Sequence, residues 1–364
     1  MIARKLAEMW TTVAPVLAVV MLVLTVGREL PGAVVALAAL VLAGAVLGAV
    51  HHAEVIAHRV GEPFGSLVLA LAVTIIEVAL IVTLMADGGD KSASLARDTV
   101  FAAIMITCNG VVGLSILTGS LRHGLAVFRS EGTGSALGAI ATLSTLSLVL
   151  PNFTTTTPGP EFSTSQLVFA AVAAIVLYGL FVATQTVRHR DYFLPITKYG
   201  EVIDAEDHAD VPSSRAALTS FGLLALSLIA VVGLAKVISP TIESGVEAAG
   251  MPQDVVGVVI ALLVLLPETI AALRAARRDR VQTSLNLALG STMASIGLTI
   301  PAVAIASYWL SGPLILGLSA SHTVLLALTL VVSTLTVIPG RATPLQGGLH
   351  LAILAAYLEL AVTP

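Results

Sequence analysis

The chain has 364 residues, of which 57% are hydrophobic and only 11% charged, with a formal net charge of −4; its mean hydropathy is +0.98. A soluble domain carries about 25% charged residues, so a chain this long with so little charge cannot cover its own surface in water. That excludes an ordinary cytosolic enzyme and a disordered regulator, and the lack of a Lys/Arg stripe interleaved with aromatics gives a nucleic-acid partner no support. The single cysteine, Cys108, can form neither an intramolecular disulfide nor a thiolate cluster.

A membrane-crossing helix needs about 20 mostly apolar residues. Eleven segments qualify: 10–27, 32–50, 64–86, 98–119, 134–150, 166–187, 218–238, 253–274, 282–308, 312–338 and 346–362. They are too long and too uniformly apolar for barrel strands, which alternate every second residue. The expectation is an all-α polytopic membrane protein, since in lipid only helices and closed barrels satisfy their own backbone. Arg4 and Lys5 precede the first segment as in a signal peptide, but the apolar run from Trp10 to Val26 is followed almost at once by another. It reads as a retained helix.

Lys and Arg set the orientation. With the N-terminus inside, only Arg28, Lys91, Arg97 and Lys236 of the 18 Lys and Arg residues fall outside. This places the N-terminus in the cytoplasm and the C-terminus outside. The longest polar stretch, 188–217, is then a cytoplasmic loop between the sixth and seventh helices, carrying Glu201, Asp204, Glu206, Asp207 and Asp210. Its carboxylates are candidates for sensing cytosolic cation, against the alternative of a solvated linker. With 1–31 as an extra N-terminal helix, five helices remain on each side of the loop, in 32–187 and 218–364. Five is odd, so the second set starts from the opposite face. This is the arithmetic of two inverted five-helix repeats.

Two acidic residues lie deep in apolar segments: Glu77 in 64–86 and Glu268 in 253–274. A charge at that depth costs roughly 3 kcal/mol on insertion scales and marks an ion or proton path more often than a packing role. Each sits on the second helix of its half, about midway by helical rise. Two antiparallel helices carrying these residues are expected to bring both carboxylates to one cation. Thr74 precedes Glu77 by three residues and shares its face. Pro267 has no N–H, so the carbonyl of Leu263 loses its helical donor and becomes a hard oxygen ligand suited to Ca²⁺ or Na⁺. The following helix in each half is polar at depth, with Thr107 and Asn109 in one and Asn286, Ser291, Thr292 and Ser295 in the other. Small polar residues also simply pack helices. A pair of apposed carboxylates in apolar surroundings is relieved either by protons or by a cation. That mutual exclusion is the minimal requirement for antiport.

These residues resemble the calcium/cation antiporter superfamily, specifically its cation/proton exchanger branch and the bacterial calcium/proton antiporters, some of which also exchange sodium or potassium. The resemblance rests on Gly61-Glu62-Pro63-Phe64-Gly65 leading to Glu77, Ala96-Arg97-Asp98-Thr99, Asn109-Gly110-Val111-Val112-Gly113 and Leu150-Pro151-Asn152-Phe153-Thr154. In the second half it rests on Leu266-Pro267-Glu268, Leu287-Ala288-Leu289-Gly290-Ser291 and Ile296-Gly297-Leu298-Thr299. It implies that Glu77 and Glu268 form the cation site, with Asn109, Ser291 and Thr292 near it. It also implies that helices 32–50 and 218–238 are the gating pair. Eukaryotic exchangers carry Gly-Asn before each glutamate; here those positions hold Val73-Thr74 and Val264-Leu265, and Thr269 stands where His often follows. The expected function is export of Ca²⁺ against protons by alternating access in a bacterial inner membrane. A Na⁺/H⁺ or K⁺/H⁺ exchanger is the near alternative, and a channel or intramembrane enzyme the distant one. No cofactor is implied beyond the transported ions, and the partners are lipids, those ions and, as an open possibility, further copies of the chain.

Four further features have bland readings. His51, Glu54 and His58 fall on one face near the cytoplasmic end of the second helix, and with His52 read as an interfacial polar cap. His322 reads as a packed polar residue, and Arg274, Arg277, Arg278 and Arg280 as a topology anchor at lipid headgroups. Asn152-Phe153-Thr154 matches a glycosylation sequon, a weak signal at this length.

Overall fold

The computed structural model describes residues 2–28, 30–61, 64–88, 93–196, 212–252, 254–310 and 312–363, and these are almost wholly helical. In chain order the helices are α1 (Ile2–Thr25), α2 (Gly32–Val60), α3 (Phe64–Gly88), α4 (Leu95–Met105) and α5 (Val112–His123), then α6 (Ser130–Ser144) and α7 (Thr164–Ala183). They continue with α8 (Ser214–Ala248), α9 (Asp254–Arg277), α10 (Val281–Ala306), α11 (Ala320–Val337) and α12 (Pro344–Val362). A π-helical turn, Ile106–Val111, joins α4 to α5 into one span, and a second, Thr145–Val149, extends α6. Among the described residues, 9 helices are long and apolar enough to cross a membrane, and shorter apolar stretches Met9–Thr25 and Leu71–Ala86 lie in α1 and α3. These correspond to the eleven segments read from the sequence.

Helix ends differ from the apolar windows, because hydropathy measures the bilayer and not the helix. The 32–50 segment continues to Val60, where Gly61 turns the chain at φ 78°. His51, His52, Glu54 and His58 are therefore helical. The 218–238 segment continues to Ala248 through Pro240. The 312–338 segment starts late: residues 312–319 are extended, and α11 begins only after Ser319, whose hydroxyl accepts the His322 N–H at 3.3 Å. Gln side chains close the first turns of α7 and α12, accepting Ser163 N at 2.9 Å and Thr343 N at 2.7 Å, which is capping-box geometry.

The chain forms two compact units, one of α1–α3 with α8, the other of α4–α7 with α9, from Gly257 on, to α12. Each unit takes helices from both expected repeats. In the first unit α2 and α8 pack along their length, and α2 buries Ala38, Leu42, Ala45, Ala49 and Ala53. α1 packs against both, with the Pro15 ring beside Gly48, where a Cβ would stand 3.5 Å from it. Pro15 also strips the Thr11 carbonyl of its helical donor. The ring of His52 replaces it: Nε2 donates to Thr11 O at 2.9 Å, which leaves Nδ1 to accept from Ser220 Oγ at 3.2 Å. One buried imidazole thus ties α2 to both α1 and α8.

In the second unit the α4–α5 span and α10 are the central, most buried helices. α5 meets α12 where two glycines face each other: a Cβ on Gly347 would stand 2.8 Å from Leu117 N and 2.9 Å from Gly113 O. At one end β1 (Ala126–Val127) pairs antiparallel with β2 (Arg341–Ala342), and Asn286 Nδ2 donates to Phe193 O at 2.6 Å. At the other end the extended 312–319 strap is held on all sides. Ile315 N donates to Ala93 O at 3.0 Å, Leu318 N to Leu148 O at 2.8 Å, Asn152 Nδ2 to Leu318 O at 2.6 Å and Arg97 Nη1 to Gly317 O at 3.2 Å. In these contacts each loop meets loops of its own end, as alternating crossings require.

Candidate functional site: carboxylates and a buried polar cluster

Glu77 lies on α3 in the first unit and is 4% exposed, with Thr74, one turn earlier, 3% exposed. A carboxylate and a hydroxyl are thus buried on adjacent turns of one helix. Glu268 lies on α9 in the second unit and is half-buried, next to the buried Pro267. α9 stays helical through the proline, so the half-buried Leu263 carbonyl lacks its i+4 donor. Thr269 Oγ1 donates to Leu265 O at 2.7 Å.

The polar residues on the next helices form a cluster inside the second unit. Thr107 bonds directly to Thr292, joining the central helices of the two halves hydroxyl to hydroxyl. Each also lies within reach of a carbonyl of its own helix, Thr107 of Ala103 O at 2.6 Å and Thr292 of Ala288 O at 2.9 Å; with one proton apiece, one hydroxyl donates across while the other donates to its own helix. Asn109 stands on the π turn and is fully buried. Its Nδ2 donates to Thr329 Oγ1 at 2.9 Å and its Oδ1 lies 3.3 Å from His350 Nδ1. Since a carboxamide oxygen only accepts, His350 carries its proton on Nδ1, and Nε2 faces Thr336 Oγ1 at 3.2 Å. Single π turns inside α-helices recur at functional sites, and this one brings two of the sequence-identified polar residues to one place. Ser295 is buried and Ser291 half-buried on α10. Asn286 is instead bonded to Phe193 O and Gln282 near the helix end.

His350 was not singled out in the sequence, although the rule that found the glutamates, an ionisable residue within a span, applies equally to it. His322 stacks on Phe101 with ring centroids 4.7 Å apart, the packed polar residue expected. The amide of Asn152 donates to Leu318 O, so the residue clamps a strap. Glu201, Asp204, Glu206, Asp207 and Asp210 lie outside the described residues. Among the described residues no group of three or more His, Cys, Asp or Glu side chains is placed to hold a metal ion.

The helices and the buried acidic side chains define a polytopic membrane protein built around polar groups within its spans. The chain belongs to the sodium/calcium exchanger protein family, whose sequence model matches residues 30–187 and 219–363. The two matched stretches begin after α1 and leave out the acidic loop. The family is one of transporters rather than enzymes. Among its relatives is a Sinorhizobium fredii protein described as a candidate ionic transporter, y4hA, 47% identical over 98% of this chain and 96% of its own. The sodium-potassium/proton antiporter ChaA of Escherichia coli is 36% identical over 94% of this chain and 93% of its own. The crystal structure of an H⁺/Ca²⁺ exchanger, CAX, shares the fold with a TM-score of 0.68, at 15% identity over 98% of this chain and 92% of its own.

Proposed function

We propose that the chain exports Ca²⁺ in exchange for protons by alternating access, with Glu77 and Glu268 binding cation and protons in turn. The observation that carries this reading is an acidic side chain deep within an apolar span in each of the two stretches that the family model matches, Glu77 buried and Glu268 half-buried. One Ca²⁺ or two protons neutralise the pair equally, so either occupant removes the cost of two charges in apolar surroundings. The doubly empty state is the costly one, which discourages uncoupled movement. Thr74, Asn109, the Leu263 carbonyl, Ser291, Thr292 and Ser295 supply neutral oxygens, as hard cations require. The α2–α8 pair, packed along its length, is the proposed moving element. The Lys/Arg count supports a cytoplasmic N-terminus and an outward C-terminus in an inner membrane.

A second reading is favoured by a specific observation. ChaA is named for sodium and potassium, and a site without Gly-Asn ligands presents fewer oxygens to a divalent ion. In this reading the same carboxylates take Na⁺ or K⁺ and Ca²⁺ is a weak substrate.

Purified protein in proteoliposomes with a pH-sensitive dye inside tests both. A proton gradient is imposed, then Ca²⁺, Na⁺ and K⁺ are added separately to wild type, Glu77→Gln and Glu268→Gln. The cation that collapses the gradient names the substrate, and each substitution should abolish the response. Exchange that survives either substitution would remove the shared site, and a gradient that no cation moves would remove the antiport.

A further inference from the structure

We propose that the groove between α6 and α11 is a phospholipid site that takes one acyl chain of a zwitterionic, primary-amine lipid such as phosphatidylethanolamine. The groove encloses about 510 Å³, with Gly134, Gly138 and Ala141 of α6 on one side and Leu330 and Val337 of α11 on the other. The α6 residues follow at helical spacing, so the absent side chains make a continuous channel along one face. A Cβ on Gly138 would meet nothing within 4 Å. Thr334 also lines the wall, but its hydroxyl donates to Leu330 O at 2.7 Å, which leaves the groove apolar. From Ser130 to Ala141 the helix rises about 16 Å, close to half of a hydrocarbon core about 30 Å thick. The groove therefore runs through one leaflet, the depth of one acyl chain.

The mouth identifies the headgroup. Glu131 lines it, is exposed, and has neither hydrogen bond nor ion pair on its carboxylate among the described residues. Arg129, two residues earlier, is half-buried, and the exposed Arg341 stands opposite Val127 in the small ladder that precedes α6. A cationic and an anionic group at adjacent positions fit a head that carries both a phosphate and an ammonium. The α6 N-terminus at Ser130 adds amide donors and a favourable dipole for the phosphate. A choline head has no N–H to give Glu131, and a glycerol head has no positive charge.

Native mass spectrometry tests the assignment without reference to transport. The protein in detergent is offered equal amounts of dioleoyl phosphatidylethanolamine, phosphatidylcholine and phosphatidylglycerol. Wild type should retain one phosphatidylethanolamine at least about tenfold over the others, the size of one charge-assisted hydrogen bond. Glu131→Gln should erase the preference over phosphatidylcholine. Gly138→Leu fills the groove without a clash at Cβ and should lose the bound lipid while its melting temperature holds. Retention by Gly138→Leu, equal retention of all three lipids by wild type, or a lipid-free dimer would each overturn the proposal.

Discussion

The hydroxyls of Thr107 and Thr292 bond to one another across the second unit: one donates to its partner, and the partner's single proton goes to a carbonyl of its own helix. An interhelical hydrogen bond in a membrane protein is worth about 0.6 kcal/mol and seldom above about 1.7. Thr292→Val should accordingly lower stability by about 0.5–1.5 kcal/mol, read as the thermal midpoint in detergent. Gly347→Ala is the harsher change, since its Cβ would press on the Leu117 and Gly113 backbones. It should cost about 1–3 kcal/mol. These residues differ in how far the sequence exposes them. Glu77, Glu268, Thr107 and Thr292 stand out because polar atoms at apolar depth are conspicuous alone. His52 does not, because its role depends on a carbonyl freed by Pro15 on another helix, and no local pattern joins positions so far apart in the chain.

At the scale of elements, hydrophobic length reveals a helix and misplaces its ends. The apolar window stops at residue 50, while α2 needs only the absence of a breaker and runs to Gly61. In 312–338 apolar residues persist where the backbone is extended, because the strap finds its hydrogen-bond partners in Ala93, Leu148, Asn152 and Arg97. Irregular backbone at a membrane protein's depth survives where protein satisfies it. Asn152→Ala removes the donor to Leu318 O and should cost about 1–2 kcal/mol, with faster amide exchange confined to 312–319; uniform protection would show that the clamp carries no load. His52→Leu removes the ring that holds Thr11 O and Ser220 and should loosen α1, seen as faster amide exchange in α1 than in α12.

For the whole molecule, the sequence predicts two sets of five helices about an acidic loop, whereas the compact units draw on both expected sets. The difference is physical: a repeat records how the chain is related to itself, and a compact unit records which surfaces bury one another. The packing of α2 against α8 joins helices on either side of the acidic loop, and no count of spans reveals it. Orientation is testable at this scale. Cys108 is buried, so thiol background should be low. Phe153→Cys, at a position 73% exposed, should react with an impermeant maleimide from outside the cell. Cysteine introduced at His123 should react only in inverted vesicles.

The central claim, that cation and protons exclude one another at Glu77 and Glu268, is tested most directly by proton release on binding. Calorimetry of purified protein in buffers of different ionisation enthalpy counts the protons displaced by each bound ion. The account predicts about two protons released per Ca²⁺ bound under conditions where the empty site is protonated. It also predicts loss of both binding and release in Glu77→Gln and in Glu268→Gln. Ca²⁺ binding without proton release, or binding unchanged in either variant, would contradict it.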